Sequence, residues 1–205
     1  MAAGKPDSRV RIMDATYEAL IETGYADLTM NVIAAKSNTS TSLLYYHFNT
    51  KEDLLVAFLD HLIDGLTERF EGDDPIDQLF DILGLYILDP GEKEREAFHI
   101  AILELRSQAP YNERYRKRFQ KADRLIRDGL ATAITNGITH GTIHECDPET
   151  TARLLTATMD GARSRGIALG QPGYARDALY ALHEQVLRPL FPESTEDRWH
   201  ARFGE

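Results

Sequence analysis

The feature that most constrains the fold is a segment, residues 28–51, without acidic residues in a chain that has 33 Asp and Glu among 205 residues. Its apolar residues are spaced for two short helices, 30–36 and 41–46, joined by a turn. Asn38 suits that turn, because Asn adopts a positive φ more readily than most residues. Two short helices joined in this way predict a helix-turn-helix, whose second helix enters the major groove of DNA.

Side chains that can cap a helix precede each helix predicted in this region. Thr29 and Ser40 can each accept a hydrogen bond from a backbone N–H that lacks a carbonyl partner in the first turn. Thr50 has the same position before the next predicted helix, 51–70. Asp53 follows it at the capping-box position, where Glu is more usual.

Hydroxyl, aromatic and basic side chains are concentrated on the second short helix and at its flanks. Such groups suit phosphate oxygens and base edges, since hydroxyls and amides position the duplex and Lys neutralises phosphate charge. The residues predicted to bind DNA are Thr29, Ser40, Thr41, Ser42, Leu43, Tyr45, Tyr46, His47 and Lys51.

This segment resembles the DNA-binding signature of the TetR family of transcriptional regulators. The matching residues are Thr29, Ile33, Ala34, Ser37, Ser40, Leu44, Tyr45, His47, Phe48, Lys51 and Leu54. Asn38 replaces the family's turn glycine, Thr39 replaces a small apolar residue, and Ser42 and Leu43 stand where Gly-Thr is frequent. The resemblance implies a homodimeric repressor that is released from a double-stranded DNA operator by a small-molecule effector.

Composition is that of an ordinary globular chain, with 42% hydrophobic and 27% charged residues. We find no apolar run long enough to span a bilayer and no signal peptide, so we expect a cytoplasmic protein without membrane contact. The single cysteine, Cys146, excludes an internal disulfide bond.

The net charge of −10 is unusual for a DNA-binding protein. Residues 1–55 contain five Lys and Arg against seven Asp and Glu. The local absence of acid in residues 28–51 outweighs this sum, because salt screens exposed charges beyond about 10 Å.

The whole chain is predicted to be all-α, with about nine helices and no strand pattern. The predicted helices are 8–23, 30–36, 41–46, 51–70, 75–88, 92–108, 111–140, 148–169 and 174–188. We expect a helix-turn-helix DNA-binding domain at 1–52, a ligand-binding and dimerisation domain at 53–192, and a C-terminal tail at 193–205.

A regulatory pocket is expected among the middle helices. Its predicted lining residues are Phe80, Leu83, Tyr86, Phe98, Ile102, Arg106, Tyr115, Phe119, Leu155, Met159 and Arg163. A guanidinium near a cavity, from Arg106 or Arg163, would favour an anionic ligand. The alternative is that the apolar residues are ordinary core and that both arginines are paired or extend to solvent.

The eighth and ninth predicted helices have the character of a dimer surface. Gly161, Ala162, Gly166 and Ala168 permit close helix approach, and Ala178, Leu179, Leu182, Val186 and Leu190 form a stripe. A dimer can read two half-sites, whereas one six-residue helix reads DNA poorly. The alternative is that these faces pack within the subunit.

Two other classes of function are less well supported. His140, His144 and Cys146 are potential zinc ligands, but they lack the paired spacing of structural zinc sites, so we expect no metal and no cofactor. Nucleophile-elbow, phosphate-loop and paired-carboxylate signatures are also missing, which argues against an enzyme. A helical protein–protein adaptor or small-molecule-binding protein without DNA binding is the remaining alternative.

Overall fold

The computed structural model of the protein describes residues 8–70, 74–87 and 92–204, with Glu68 and Arg69 described by their backbone alone. The helices are α1 (Ser8–Asp27), α2 (Met30–Lys36), α3 (Thr41–His47), α4 (Lys51–Arg69), α5 (Pro75–Gly84), α6 (Lys93–Ser107), α7 (Glu113–Thr139), α8 (Pro148–Ala168), α9 (Tyr174–Leu182) and α10 (Glu193–Phe203). These residues contain no strand, so the predicted all-α class is confirmed.

The predicted helix starts in the helix-turn-helix are confirmed, and capping explains them. The Val32 N–H donates to Thr29 Oγ1 at 3.3 Å, and the Leu43 N–H donates to Ser40 Oγ at 3.1 Å. Before α4, the Asp53 N–H donates to Thr50 Oγ1 at 3.0 Å, and that hydroxyl donates to the Asp53 carboxylate at 2.9 Å. Asn38 has a φ of 53°, as the turn between α2 and α3 requires.

The contacts within the chain divide it into two compact units. Unit 1 comprises the described parts of Met1–Gly65 and Lys93–Gln120. Its core contains residues of the first four helices together with Ala101, Leu105 and Tyr115 from α6 and the start of α7. The predicted domain boundary between residues 52 and 53 therefore lies inside unit 1, because α4 and α6 complete the core of the helix-turn-helix.

Unit 2 comprises the described parts of Leu66–Glu92 and Lys121–Glu205. Apolar residues from α5, α7 and α8 form most of its core, and aromatic rings extend that core toward the C-terminus. The predicted helix 75–88 ends at Gly84, a poor helix former, and Leu88 lies outside the described residues.

The segment predicted as a C-terminal tail is largely a helix, α10, that packs into unit 2. Trp199 is only 1% exposed, and its ring centroid lies 5.6 Å from that of Phe80. The Trp199 ring also stacks on His183, with centroids 4.2 Å apart. Arg198 also pairs with Asp74 at 2.8 Å, which ties α10 to the start of α5.

The ninth predicted helix, 174–188, changes form before its predicted end. α9 ends at Leu182 and continues as a π-helical turn, His183–Leu187, and a 3-10 turn, Arg188–Leu190. Pro189 has no N–H with which to continue the α-helical hydrogen bonds, so the regular helix cannot pass through it.

None of the helices within the described residues has the length and apolar character needed to cross a membrane.

Candidate nucleic-acid interface

α3 has one buried side and one exposed side. Leu44 is fully buried, and Phe48 anchors the end of the helix in the core of unit 1. The side chains of Ser42, Leu43, Tyr45, Tyr46 and His47 are exposed. Tyr46 is 82% exposed, an unusual environment for a large aromatic side chain in a folded protein. The helix thus presents hydroxyl, apolar and aromatic groups to solvent together.

The two capping hydroxyls lie at the ends of this surface. Thr29 and Ser40 are both exposed, and each oxygen accepts one backbone N–H. A hydroxyl that accepts in this way retains its own proton as a donor. Both residues can therefore cap a helix and donate to a phosphate oxygen at the same time.

Lys51, predicted to bind phosphate, is held at the start of α4 by the protein itself. Its ammonium donates to the carbonyls of Leu28 at 2.9 Å and Tyr25 at 3.2 Å, and lies 4.7 Å from the Tyr25 ring centroid. Burial lowers the pKa of Lys51. Two of its three N–H donors are directed at carbonyls, so one donor remains for a phosphate.

The other lysine of the acid-free segment also has a protein partner. Lys36, at the end of α2, forms an ion pair with Glu22 of α1, and this hydrogen bond raises the pKa of Lys36. Hydroxyls, amides and aromatic rings are consequently more prominent than unpaired cations on the described face of the helix-turn-helix.

Long-range polar contacts within unit 1 fix the backbone beside this face. The Tyr25 N–H, next to Gly24 at φ 72°, donates to the Glu104 carboxylate of α6 at 2.7 Å. Arg114 of α7 donates to Asp53 at 2.7 Å, and Arg118 lies 3.0 Å from the Asp60 carboxylate. α6 and the start of α7 therefore hold both the kinked end of α1 and the first half of α4.

One polar contact links α2 and α3 directly and was not predicted from the sequence. Thr41 Oγ1 donates to Asn31 Oδ1 at 3.0 Å. Asn31 lies in the first turn of α2 and is exposed, so it belongs to the same surface as the predicted residues. In the sequence, this role of Asn31 was indicated only by its position in the first turn of α2, a turn without acidic residues.

The residues predicted to line one ligand pocket are divided between the two units. Phe80, Leu83, Tyr86, Leu155 and Met159 are buried in the core of unit 2. Tyr115 is buried in unit 1, where Phe98, Ile102 and Phe119 pack against the core. Burial raises the pKa of Tyr115, and the nearby Tyr25 adds to this shift.

The two arginines predicted near the pocket differ in what surrounds them. Arg163 donates to Asp160 at 2.7 Å, and its guanidinium lies 4.9 Å from the Tyr86 ring centroid in unit 2. Arg106 lies in the last turn of α6 in unit 1 and is half-buried. Arg163 thus corresponds to the paired arginine considered as the alternative.

Unit 2 also has an open groove of about 480 Å³ beside α5 and α10. Its lining residues are Asp77, Phe80, Asp81, Arg198, Ala201 and Arg202. Phe80 is the only one of them that the sequence had assigned to a pocket. The arginines already pair with carboxylates of α5, as Arg202 does with Asp81 at 2.8 Å.

The predicted dimer surface contains both buried and exposed residues. Ala162, Gly166, Leu179 and Leu182 are buried inside unit 2, as the alternative of packing within the subunit requires. Gly161 and Ala168 are exposed on α8, and a Cβ added to Gly161 would meet no atom within 4 Å. Leu154 adds a leucine that is 46% exposed to the same helix.

A zinc site at His140, His144 and Cys146 finds no support in the described part of the chain, where no three His, Cys, Asp or Glu side chains are grouped to hold a metal. His140 instead contacts the Asn136 carbonyl through Nδ1 at 2.8 Å.

Known proteins resemble this chain in both sequence and structure. The family model for bacterial regulatory proteins of the tetR family matches residues 12–58, and the model for the C-terminal region of BetI-type transcriptional repressors matches residues 75–192. A solved TetR transcription regulator from Haloarcula marismortui is 36% identical, with a TM-score of 0.78, and the match covers 92% of this chain and 100% of that one.

Curated relatives give matches of two lengths. The regulator TtgR of Pseudomonas putida is 28% identical over 171 residues, which cover 80% of this chain and 81% of that protein. An HTH-type transcriptional repressor of Mycobacterium tuberculosis is 34% identical over 77 residues, or 38% of this chain and 41% of its own length. The two family models match the chain from α1 to the turns after α9, apart from residues 59–74, and the chain belongs to the TetR family of bacterial regulatory proteins.

Proposed function

We propose that the protein is a transcriptional repressor that binds operator DNA as a homodimer and leaves it when a small molecule binds. The observation that carries this proposal is the exposed side of α3, where Tyr46 is 82% exposed while Leu44 behind it is fully buried. A short, firmly anchored helix with exposed polar and aromatic groups suits insertion into the major groove. The proposal assigns the protein no catalytic activity.

In the proposed complex, α3 lies in the major groove, and side chains at its edges hold the DNA backbone. Thr29 donates its hydroxyl proton to a phosphate oxygen, and Tyr46 and His47 contact phosphates at the end of α3. The remaining Lys51 donor does the same at the start of α4, where the helix dipole adds positive potential. Thr41, Ser42, Leu43 and Tyr45 are then the residues closest to base edges.

The proposed dimer forms through α8 and α9. The exposed small residues Gly161 and Ala168 allow close approach of a second helix, and Leu154 supplies apolar surface. Two copies of α3 would then read half-sites separated by about one turn of DNA.

Release by a ligand is proposed to act through α4. This helix contributes residues to both units, since unit 1 extends to Gly65 and unit 2 begins at Leu66. A ligand that binds one orientation of α4 more tightly would shift the population toward that orientation and change the separation of the two reading helices.

The test is a gel-shift titration of the full-length protein on DNA upstream of its own gene, at two salt concentrations and with random DNA as competitor. We expect specific binding that weakens as salt increases. Tyr46→Ala should weaken binding roughly tenfold, or by about 1.4 kcal/mol, as expected for truncating a Tyr that anchors an interface.

Tyr111→Ala provides the matched control, because Tyr111 is 89% exposed in unit 1 but lies between α6 and α7, outside the helix-turn-helix segment. It should bind DNA as the unmodified protein does. Equal losses for Tyr46→Ala and Tyr111→Ala, or no specific binding by the unmodified protein, would refute the proposal.

A further inference from the structure

We propose that Asn31 makes Thr41 a hydrogen-bond acceptor, so that Thr41 selects an adenine or a cytosine in the operator. This inference rests on the proposed function, because it requires α3 to enter the major groove. It adds a positioning residue, Asn31, and a stated base preference at one position of each half-site.

The identity of the two atoms in contact determines the direction of the hydrogen bond, because an amide oxygen carries no proton and can only accept. Thr41 Oγ1 donates to Asn31 Oδ1 across 3.0 Å, from the first residue of α3 to the first turn of α2. A threonine hydroxyl has one proton and two lone pairs. Once the proton is committed to Asn31, Thr41 can offer only lone pairs to a ligand.

The four bases differ in whether their major-groove edges can donate a hydrogen bond to a group that only accepts. Adenine presents an N6 amino group and cytosine an N4 amino group, both of which donate, whereas guanine and the carbonyl of thymine present acceptors. An unconstrained threonine can bond to either kind of base edge, because its hydroxyl rotates. With its proton held by Asn31, Thr41 pairs with an amino group and is mismatched against guanine or thymine O4.

Asn31 has a second capacity in the same arrangement. Its carbonyl oxygen is used by Thr41, while its amide NH2 has no hydrogen-bond partner among the described residues and its side chain is exposed. An amide NH2 donates to phosphate oxygens in protein–DNA complexes. Asn31 would therefore position Thr41 and contact the backbone of the DNA together.

A purely structural role for Asn31 predicts something different. Asn31 is exposed and Thr41 is only partly buried, so their contact is a minor part of the core that fixes α3 through Leu44. If Asn31 served only to hold α3 in place, its loss would weaken binding to every sequence equally. A change in base preference arises only if the direction of the Thr41 hydrogen bond matters.

The experiment selects duplexes from a randomised library with the full-length protein, and then measures affinity for all single-base variants of the selected site. Thr41→Val identifies the position that Thr41 faces, as the position at which discrimination is lost. The unmodified protein should prefer adenine or cytosine there, on the strand facing Thr41, by about tenfold over the other bases.

Two substitutions of Asn31 separate its roles. Asn31→Ala frees the Thr41 proton, so the preference should fall to about twofold or less. Asn31→Asp keeps an acceptor for Thr41 but replaces the amide donor with a negative charge. It should keep the preference while binding every sequence more weakly. Asn136→Ala, an exposed asparagine of α7 outside this surface, should behave as the unmodified protein.

Each outcome decides one question. A preference for guanine or thymine at the position that Thr41→Val reveals would overturn the inference, as would an unchanged preference in Asn31→Ala. Failure of Thr41→Val to alter discrimination at any position would also overturn it, while Tyr46→Ala could still show that α3 binds DNA. If the unmodified protein selects no sequence at all, the proposed function itself is refuted.

Discussion

The exposed side of α3 in unit 1 and the buried side of α10 in unit 2 use aromatic residues in opposite ways. Tyr46 on α3 is 82% exposed, whereas Trp199 on α10 is 1% exposed and is surrounded by other rings. The charged groups differ as well, since Arg198 and Arg202 of α10 pair with carboxylates of α5. Substitutions on α10 should therefore change stability, and substitutions on the exposed side of α3 should change DNA binding.

The largest effect is expected at Trp199. Trp199→Ala removes a buried ring from contact with Phe80, Phe203 and His183, and should lower the free energy of unfolding by about 3–5 kcal/mol. Urea unfolding followed by circular dichroism measures this change. A loss below about 1 kcal/mol would mean that α10 is not part of the core of unit 2.

Two adjacent leucines of α3 allow a buried and an exposed side chain to be compared within one helix. Leu44 is fully buried, and Leu43 is 37% exposed. Leu44→Ala should lower the free energy of unfolding by about 2–4 kcal/mol. Leu43→Ala should change stability by no more than about 0.5 kcal/mol while altering affinity for the operator. Thermal melts and gel shifts on both variants check this contrast, and equal destabilisation would contradict it.

Lys51 tests whether one residue can contribute both to DNA binding and to the stability of the protein. Lys51→Ala removes one cation and should weaken binding to all DNA sequences alike, with the slope of log affinity against log salt reduced by about 1. It also removes the bonds to the carbonyls of Leu28 and Tyr25, so we expect a modest loss of stability, about 1 kcal/mol. An unchanged salt slope with unchanged affinity would restrict Lys51 to its contacts within the protein.

The smallest effect is expected from loss of one ion pair, that of Asp74, which caps α5 and also pairs with Arg198. Asp74→Asn keeps the cap, because Asn caps as well as Asp does, but loses the ion pair. Exposed ion pairs contribute little, so we expect a loss of about 0.5 kcal/mol at neutral pH. Asp74→Ala loses the cap as well, which should bring the total to about 1.5 kcal/mol.

The pH dependence of this pair has a definite sign. The hydrogen bond from Arg198 lowers the pKa of Asp74 from its usual value of 3.8. A carboxylate whose pKa is lowered on folding stabilises the protein at pH values above its pKa in the unfolded chain, 3.8. This stabilisation is lost as the pH falls below 3.8 and through the lower pKa of the folded protein. The difference between the unmodified protein and Asp74→Asn should thus be constant near neutral pH and shrink in acid. A difference that grows in acid would contradict the pairing.

Local chemistry explains which parts of this molecule could be predicted from its sequence. The helix starts after Thr29 and Ser40 follow from capping, which depends on residues within one turn. The anchoring of α3 by Leu44 follows from the spacing of apolar residues. These features need no knowledge of distant segments.

The features that sequence reasoning missed depend on partners far apart in the chain or on sparse patterns. α10 has mostly polar residues and buries only Thr195, Trp199 and Phe203, so its apolar face is narrow. The bond from Tyr25 to Glu104 spans 79 positions, which no local pattern encodes. The Asn31–Thr41 contact spans ten positions and lies between two predicted helices, so a closer comparison of their first turns could have found it.

The stacking of Trp199 on His183 has a spectroscopic consequence. Trp199 is the only tryptophan of the chain, so indole emission from the unmodified protein reports on the packing of α10 alone. Binding of a small molecule that rearranges the core of unit 2 should therefore change this fluorescence, so that it can be followed without an attached dye.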